Sequence, residues 1–113
     1  MSTRSTGQTT LDRPSETATD AVVLRALAHP IRLGIMRRLA QEPETCACDF
    51  TDVFAVAQPT ISQHLKVLRD AGLVRTRRRG TQICYSIQPE SIVRLHDLLN
   101  TLHPDLHAVA HDH

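Results

Sequence analysis

Apolar residues recur every three or four positions in the first part of the chain, which is the spacing of one face of a helix. The pattern starts at Ala21 and predicts a first helix over about residues 18–28. Pro30 suits the first turn of a helix, so a second helix is predicted from there to about Ala40. Residues 1–17 are rich in Ser and Thr and lack this spacing, so they predict a flexible N-terminal arm.

The middle of the chain predicts a short helix followed by a longer one. The short helix covers about residues 48–54, and Phe50, Val53 and Phe54 are predicted to face inward. The longer helix has the sequence QPTISQHLKVLRDAG, with apolar side chains at i, i+4 and i+7, and Gly72 suits a left-handed cap at its end. These apolar residues are Ile61, Leu65 and Leu68.

The last third of the chain predicts a β-hairpin and a final helix. Two β-prone runs in LVRTRRRGTQICYSI flank a basic turn that contains Gly80. Apolar residues then repeat at intervals of three, four and three residues, which predicts a helix over about residues 90–102. On the last helix of a small domain, such a seam suits either the core or a dimer contact. The seam consists of Ile92, Leu95, Leu99 and Leu102.

The predicted order of elements is helix, short turn, helix and basic hairpin, which describes a winged helix-turn-helix. The fold class is therefore mainly α with a small β-hairpin, over about residues 18–103. The helix that begins at Gln58 would lie in a DNA major groove, and the hairpin tip would reach flanking phosphates or a minor groove. The side chains predicted to face DNA are Gln58, Thr60, Ser62, Gln63, His64 and Lys66 on the helix and Arg77, Arg78 and Arg79 on the hairpin.

The charge distribution supports a polyanion such as double-stranded DNA as the partner. The 113 residues carry a net charge of only +1, yet residues 58–80 contain six basic side chains and one acidic one, Asp70. A core this small gains from a second copy, so a homodimer is expected. The chain shows no export signal and no run of about 20 apolar residues, so we expect a cytoplasmic protein with no membrane partner.

Two of the three cysteines lie almost together in the stretch TCACDF. Positions i and i+2 of a regular helix are separated by roughly 200°, so Cys46 and Cys48 cannot both face one ion there. Extended or loosened backbone at the start of the helix could turn both sulfurs to one ligand, and thiolates select thiophilic ions. We expect all three cysteines to be free thiols. Cys84 is predicted to be an ordinary strand residue, far from the pair.

Three stretches of the chain carry a resemblance to a known family. They are LRALAHPIRLGIMRRL, QPTISQHLKVLRDAGLV and RRRGTQICYSI. Over about residues 20–102 the chain resembles the ArsR/SmtB family of bacterial metal-responsive transcriptional repressors. The resemblance implies a dimer that forms through the first and last helices. It also implies that the free protein binds operator DNA and that an inducer weakens this binding.

The same resemblance assigns a role to the cysteine pair. In the family, a Cys-x-Cys-Asp stretch before the recognition helix is the signature of members that sense arsenite, antimonite, cadmium or lead. The stretch TCACDF matches it, which implies that Cys46 and Cys48 are inducer ligands. The third cysteine of the arsenite pattern is Thr51 here, and residues 1–17 lack the cysteines of the cadmium and lead pattern. Two thiolates and a water or another donor favour arsenite or antimonite, and hence a role in arsenic resistance.

The C-terminal tail, residues 104–113, together with His103 just before it, offers an alternative metal site. Imidazoles four residues apart would stack on a continued helix, and they suit zinc, nickel or cobalt. The zinc pattern of the family falls on Pro89, Ser91, Leu102 and Asp105, so that site is expected to be lost. A nickel- or zinc-responsive repressor that uses tail histidines stays open. Its ligands would be His103, His107, His111 and His113.

Three further interpretations of the sequence lie outside ion sensing. Cys46 and Cys48 could form a thiol redox switch, although a disulfide between them would close a small, strained ring. The winged helix could also serve only as a protein-interaction module, against which the arginines of the hairpin tip argue. We expect no enzyme, because no nucleophile, base and orienting group fall together.

Overall fold

The structure is a computed structural model that describes residues 14–104. In this range, five helices and a small three-stranded antiparallel sheet follow one another in the order of a winged helix-turn-helix. Four of the five described helices have a proline in their first turn, where the missing N–H costs no hydrogen bond. The helices are α1 (Pro14–Leu27), α2 (Pro30–Gln41), α3 (Ala47–Val53), α4 (Gln58–Asp70) and α5 (Pro89–Leu102), and the strands are β1 (Thr45–Cys46), β2 (Val74–Arg79) and β3 (Gln82–Ile87).

The first helix begins earlier than predicted. It starts at Pro14, so residues 14–17 of the predicted arm are helical, and residues 1–13 lie outside the described range. Pro14 suits a first helical turn, and the acidic Glu16 in that turn is stabilised by the helix dipole. The prediction relied on apolar spacing, which these polar residues do not have.

The core is built around the longer central helix. Ile61, Leu65 and Leu68 of α4 are fully buried, as the i, i+4, i+7 spacing predicts. Phe50 of α3 is also fully buried in this cluster, and the predicted inward position is therefore confirmed for this residue. Val53 is 46% exposed, so its predicted inward position is wrong. The short helix covers Ala47–Val53, one residue earlier at each end than predicted, and Val53 lies on its exposed side while Phe54 packs against the core.

The sheet has a strand that the sequence did not predict. The hairpin of β2 and β3 is present, with Gly80 in its turn at a φ of 63°. The additional strand, β1, pairs antiparallel with β3, so the strand order is β1-β3-β2. In this register Thr45 lies opposite Tyr85 and Cys46 lies opposite Cys84. A strand of two residues has no periodicity that could reveal it in the sequence.

The first and last helices pack together and leave an apolar surface. Arg94 of α5 donates to Asp20 of α1 across a distance of 3.1 Å. Leu95 packs against the core, but the rest of the predicted seam on α5 is exposed, with Leu102 at 70%. None of the described helices is long and apolar enough to cross a bilayer. The exposed apolar side chains on these two helices are Val22, Leu24, Ile92, Val93, Leu99 and Leu102.

The burial of α4 predicts the cost of emptying its core face. Leu65→Ala should reduce the free energy of unfolding by about 2–5 kcal/mol, because it leaves a cavity beside fully buried neighbours. Val67→Ala on the same helix is the matched control, since Val67 is 38% exposed and should change stability by only about 0.5 kcal/mol. Urea unfolding followed by circular dichroism, at one protein concentration, measures both. Equal losses would contradict this orientation of α4.

Candidate DNA interface and thiol site

The face of α4 opposite the core is polar and accessible. Burial of the three apolar residues turns the predicted DNA-facing side chains outward, and all of them on α4 are exposed except the half-buried His64. Lys66 also forms an ion pair with Asp70, at 2.8 Å, one turn further along. Amides, hydroxyls and a cation on such a face can bond base edges or phosphates. The structure thus gives α4 the surface of a recognition helix, and the individual DNA contacts stay predictions.

His64 is held by two residues from the start of α2. Arg32 Nη1 lies 3.2 Å from His64 Nδ1, and the ring centroids of His29 and His64 are 4.4 Å apart. Because an arginine can only donate, His64 Nδ1 accepts, and the neutral ring carries its proton on Nε2. Burial, followed by the charges of His29 and Arg32, lowers the pKa of His64. His29 itself caps α2 by accepting from the Ile31 N–H.

The arginines of the hairpin are partly neutralised by an acid from another part of the chain. Arg77 donates from Nε and Nη2 to the two carboxylate oxygens of Glu44, at 2.9 and 3.2 Å. Arg79 donates to the same carboxylate at 3.3 Å, while both arginine side chains remain more than half exposed. The hydrogen bond from Arg77 is the largest cause of a lowered pKa at Glu44. The charge count over residues 58–80 missed this acid because it lies outside that window.

The cysteines are arranged differently from the prediction. Cys46 and Cys84 form a disulfide, with Cα atoms 3.8 Å apart, so the predictions of three free thiols and of a distant Cys84 are wrong. The reason is the β1–β3 register, which places these residues directly opposite each other. Cys84 is almost fully buried, with 1% exposure. In the redox interpretation the predicted disulfide partner of Cys46 was Cys48, whereas in the structure its partner is Cys84.

Cys48 is a free, exposed thiol in the first turn of α3. Cys46, the residue just before α3, has extended backbone, as expected at the start of this helix, whereas Cys48 is already helical. Its Sγ lies 3.8 Å from Asp49 Oδ1. Thr51, in the position of the third family cysteine, donates its hydroxyl to the Cys48 carbonyl oxygen at 2.8 Å. The two cysteines of the Cys-x-Cys motif are therefore in different states, Cys46 bonded to Cys84 and Cys48 a free, exposed thiol.

The described residues offer no ready-made metal site. No group of three or more His, Cys, Asp or Glu side chains in residues 14–104 is arranged to hold an ion. His103 caps the C-terminus of α5 and is exposed, and His107, His111 and His113 lie outside the described residues. Ser91, at a family zinc position, is buried and donates its hydroxyl to the Gln88 carbonyl oxygen.

Comparison with known proteins gives one consistent family. Residues 29–76 match the model for bacterial regulatory proteins of the arsR family. The chain is 43% identical over 68 residues to the arsenical resistance operon repressor of Bacillus subtilis. This alignment covers 60% of this chain and 65% of that protein. It is 37% identical over 84 residues to the arsenical resistance operon repressor of Staphylococcus xylosus, which covers 72% of this chain and 80% of that protein. The chain thus spans slightly less than two thirds of the Bacillus relative's length.

A solved structure of similar shape comes from Mycobacterium bovis. It is the homodimeric winged helix-turn-helix DNA-binding domain of a possible ArsR-family transcriptional regulator. It superposes with a TM-score of 0.67 at 30% identity, and the alignment covers 85% of this chain and 88% of that chain. The relatives and the fold are those of transcriptional regulators, not of enzymes.

The Glu44 ion pairs predict a competition with DNA. Glu44→Gln should tighten DNA binding about two- to tenfold at low salt, because phosphates no longer compete with a carboxylate for two arginines. Fluorescence anisotropy with a labelled duplex measures the change. Glu42→Gln is the matched control, because it removes the same charge from a residue that pairs with Arg38 instead. If both variants gained equally, net charge and not release of the hairpin arginines would explain the effect.

The lowered pKa of His64 predicts a pH-dependent stability. In the unfolded chain His64 takes up a proton near its ordinary pKa of 6.5, whereas in the folded chain it takes up this proton only at a lower pH. The contribution of neutral His64 to the free energy of unfolding is therefore complete above about pH 6.5 and is lost as the pH falls. The stability difference between the wild type and His64→Gln should shrink between pH 7.5 and 5, measured by urea unfolding. A difference that stayed constant or grew as the pH fell would contradict this.

Proposed function

The chain belongs to the ArsR family of bacterial regulatory proteins, and from this premise we propose that it is a dimeric transcriptional repressor that a thiophilic inducer releases from operator DNA. The proposed inducer is arsenite or antimonite, and the proposed compartment is the cytoplasm. The names of its relatives support the class of inducer, since both are arsenical resistance operon repressors. Each part of the proposal also has support in the described residues.

DNA binding is supported by the exposed faces of two elements. The polar face of α4 is available for a major groove, and the hairpin of β2 and β3 presents three consecutive arginines at its end. The proposed contacts are Gln58, Thr60, Ser62, Gln63, His64, Lys66, Arg77, Arg78 and Arg79. Most contacts of this kind go to phosphates and set orientation, so the sequence preference would come from the few side chains on α4 that reach base edges.

Dimerisation is supported by the uncovered surface of α1 and α5. Large apolar side chains on these two helices remain between 42% and 70% exposed in the single chain. Large apolar side chains left exposed in such number on two neighbouring helices of a small domain are typical of an interaction surface. The similar Mycobacterium bovis domain is homodimeric. A second copy of this chain is therefore the proposed partner at this surface.

The inducer response rests on one observation, the position of the Cys-x-Cys motif. Cys46 and Cys48 lie on either side of the first residue of α3, the helix that packs against α4. Phe50 of the same helix is fully buried against the core residues of α4. A ligand that draws both sulfurs together would displace the start of α3 and, through it, the recognition helix. The donor set fits the proposed ion, because thiolates select soft or thiophilic ions.

A second candidate function is a repressor that responds to thiol oxidation. The disulfide between Cys46 and Cys84 favours it, because this bond joins the start of α3 to the wing strand β3. A binding site for arsenite at Cys46 requires the reduced form, so the two functions differ in which state of this bond binds DNA. A response to nickel or zinc through the tail histidines stays a prediction, because three of its four residues lie outside the described range.

The inducer is tested by release of DNA from reduced protein under anaerobic conditions. Arsenite or antimonite should release a labelled fragment of the promoter upstream of the gene, and Cys48→Ser should raise the required concentration at least about tenfold. Without inducer, the DNA affinity of Cys48→Ser should stay within about twofold of the wild type, since Cys48 is exposed and is not one of the proposed DNA contacts. Fluorescence anisotropy measures both quantities.

His103→Ala is the control variant, and cadmium, nickel and zinc are the control ions. Release by nickel or zinc alone, unchanged in Cys48→Ser, would exclude the thiol proposal in favour of the histidine tail. Release by oxidation of the wild type, with no effect of any ion on the reduced protein, would support the redox candidate instead.

A further inference from the structure

We propose that Cys84 of strand β3 is the third thiol ligand of the inducer, so that the complete site is Cys46, Cys48 and Cys84. This inference rests on the proposed function and deepens it. The Cys-x-Cys motif supplies two sulfurs, and Thr51 cannot supply a third, because it carries a hydroxyl that is already bonded to the Cys48 carbonyl oxygen. The missing sulfur comes from a residue 38 positions later in the chain.

The geometry of the sheet carries this assignment. The antiparallel register of β1 and β3 places Cys46 opposite Cys84, and the two sulfur atoms are in bonding contact. Main-chain hydrogen bonds set this register, and they do not depend on the bond between the sulfurs. After reduction the two thiols therefore remain neighbours that can share one ligand. Cys46 ends β1, whereas Cys48 already lies in the first turn of α3, so the strand pairing does not hold these two side chains together.

Cys48 completes the set from the adjacent turn. Only Ala47 separates it from Cys46, so their Cα atoms lie within roughly 7 Å of each other. Its thiol is exposed and donates only a long, weak hydrogen bond to the carboxylate of Asp49, at 3.8 Å, so rotation of the side chain breaks little. Cys84 is almost completely buried, whereas Cys48 is open to solvent. The ligand would thus enter from the Cys48 side and bind against a shielded sulfur.

The chemistry balances without a change in the oxidation state of arsenic. A monothiol of the glutathione class first reduces the disulfide. Two of its molecules give up two electrons and two protons to Cys46 and Cys84 and become a disulfide themselves. Each cysteine thiol then exchanges with one hydroxyl of arsenous acid. One arsenic–sulfur bond forms, one arsenic–oxygen bond breaks, and the thiol proton leaves with the hydroxyl as water. Three thiols release three waters.

A site of this composition would act on both DNA-binding elements. Cys46 and Cys48 belong to the start of α3, which supports α4, and Cys84 belongs to the wing. In the β2–β3 register Arg77 lies directly opposite Cys84, and Arg77 is bound to Glu44, two residues before Cys46. A ligand held by all three sulfurs would thus draw together the segment that positions the recognition helix and the strand beside the wing arginines.

The coordination number of bound arsenic tests the assignment directly. X-ray absorption of arsenite bound to the reduced, full-length wild type should show three sulfur neighbours. Cys84→Ala should show two sulfurs and one oxygen. The variant should also bind arsenite at least about a hundredfold more weakly in equilibrium dialysis, because one arm of a three-point attachment is lost. Cys48→Ala is the matched variant, and it should give the same loss of one sulfur.

Two sulfurs and one oxygen in the wild type would overturn the inference, and this measurement needs no variant that might fail to fold. Three sulfurs in Cys84→Ala would also overturn it. Circular dichroism and DNA affinity of Cys84→Ala establish that the variant is folded. The proposed function fails separately, if arsenite binds through three sulfurs but does not release DNA. Conversely, release with only two sulfurs would leave the proposed function intact and remove Cys84 from the site.

Discussion

The pairing of a two-residue strand with the wing is the interaction on which the rest of this site depends. When Thr45 and Cys46 pair with the edge of β3, the register fixes two contacts and the start of a helix. Cys46 lies against Cys84, Glu44 just before the strand reaches Arg77, and α3 begins immediately after the strand. Thr45 is 3% exposed opposite Tyr85, so the pairing is buried on one side and cannot slip by one residue without exposing it.

The core connects this strand to the recognition helix. Phe50 of α3 is fully buried, and its ring lies 6.5 Å from that of Tyr85 on β3 and packs in the same cluster as Leu65 of α4. Protein interiors are as dense as organic crystals, so a shift at the start of α3 cannot be absorbed locally. The displacement has to reach α4 or the sheet. This packing gives a physical route for coupling between the proposed ligand at the sulfurs and the DNA proposed to bind α4, and such coupling would act equally in both directions.

Local patterns predicted most of the fold but not the centre of the site. The i, i+4, i+7 spacing of Ile61, Leu65 and Leu68 correctly identified the buried face of α4, because helical periodicity is a property of neighbouring residues. The positive φ of Gly72 and the hairpin followed from equally local signals. The contacts of Cys46 with Cys84 and of Glu44 with Arg77 join residues more than thirty positions apart through a strand too short to have a pattern. No charge count or alternation over a window could reveal them.

Residues 44–48 are therefore the place where the two proposed ligands would make opposing demands on the protein. In the proposed DNA complex, phosphates would compete with Glu44 for Arg77 and Arg79, so DNA would favour a segment that releases these arginines. The proposed ligand of Cys46 and Cys84 would favour a segment held against β3, with Glu44 kept beside the same arginines. Each proposed ligand would thus stabilise an arrangement that the other disfavours. Such antagonism would need no large change of fold, because a shift of these five residues would alter both the ion pairs of the wing arginines and the support of α4.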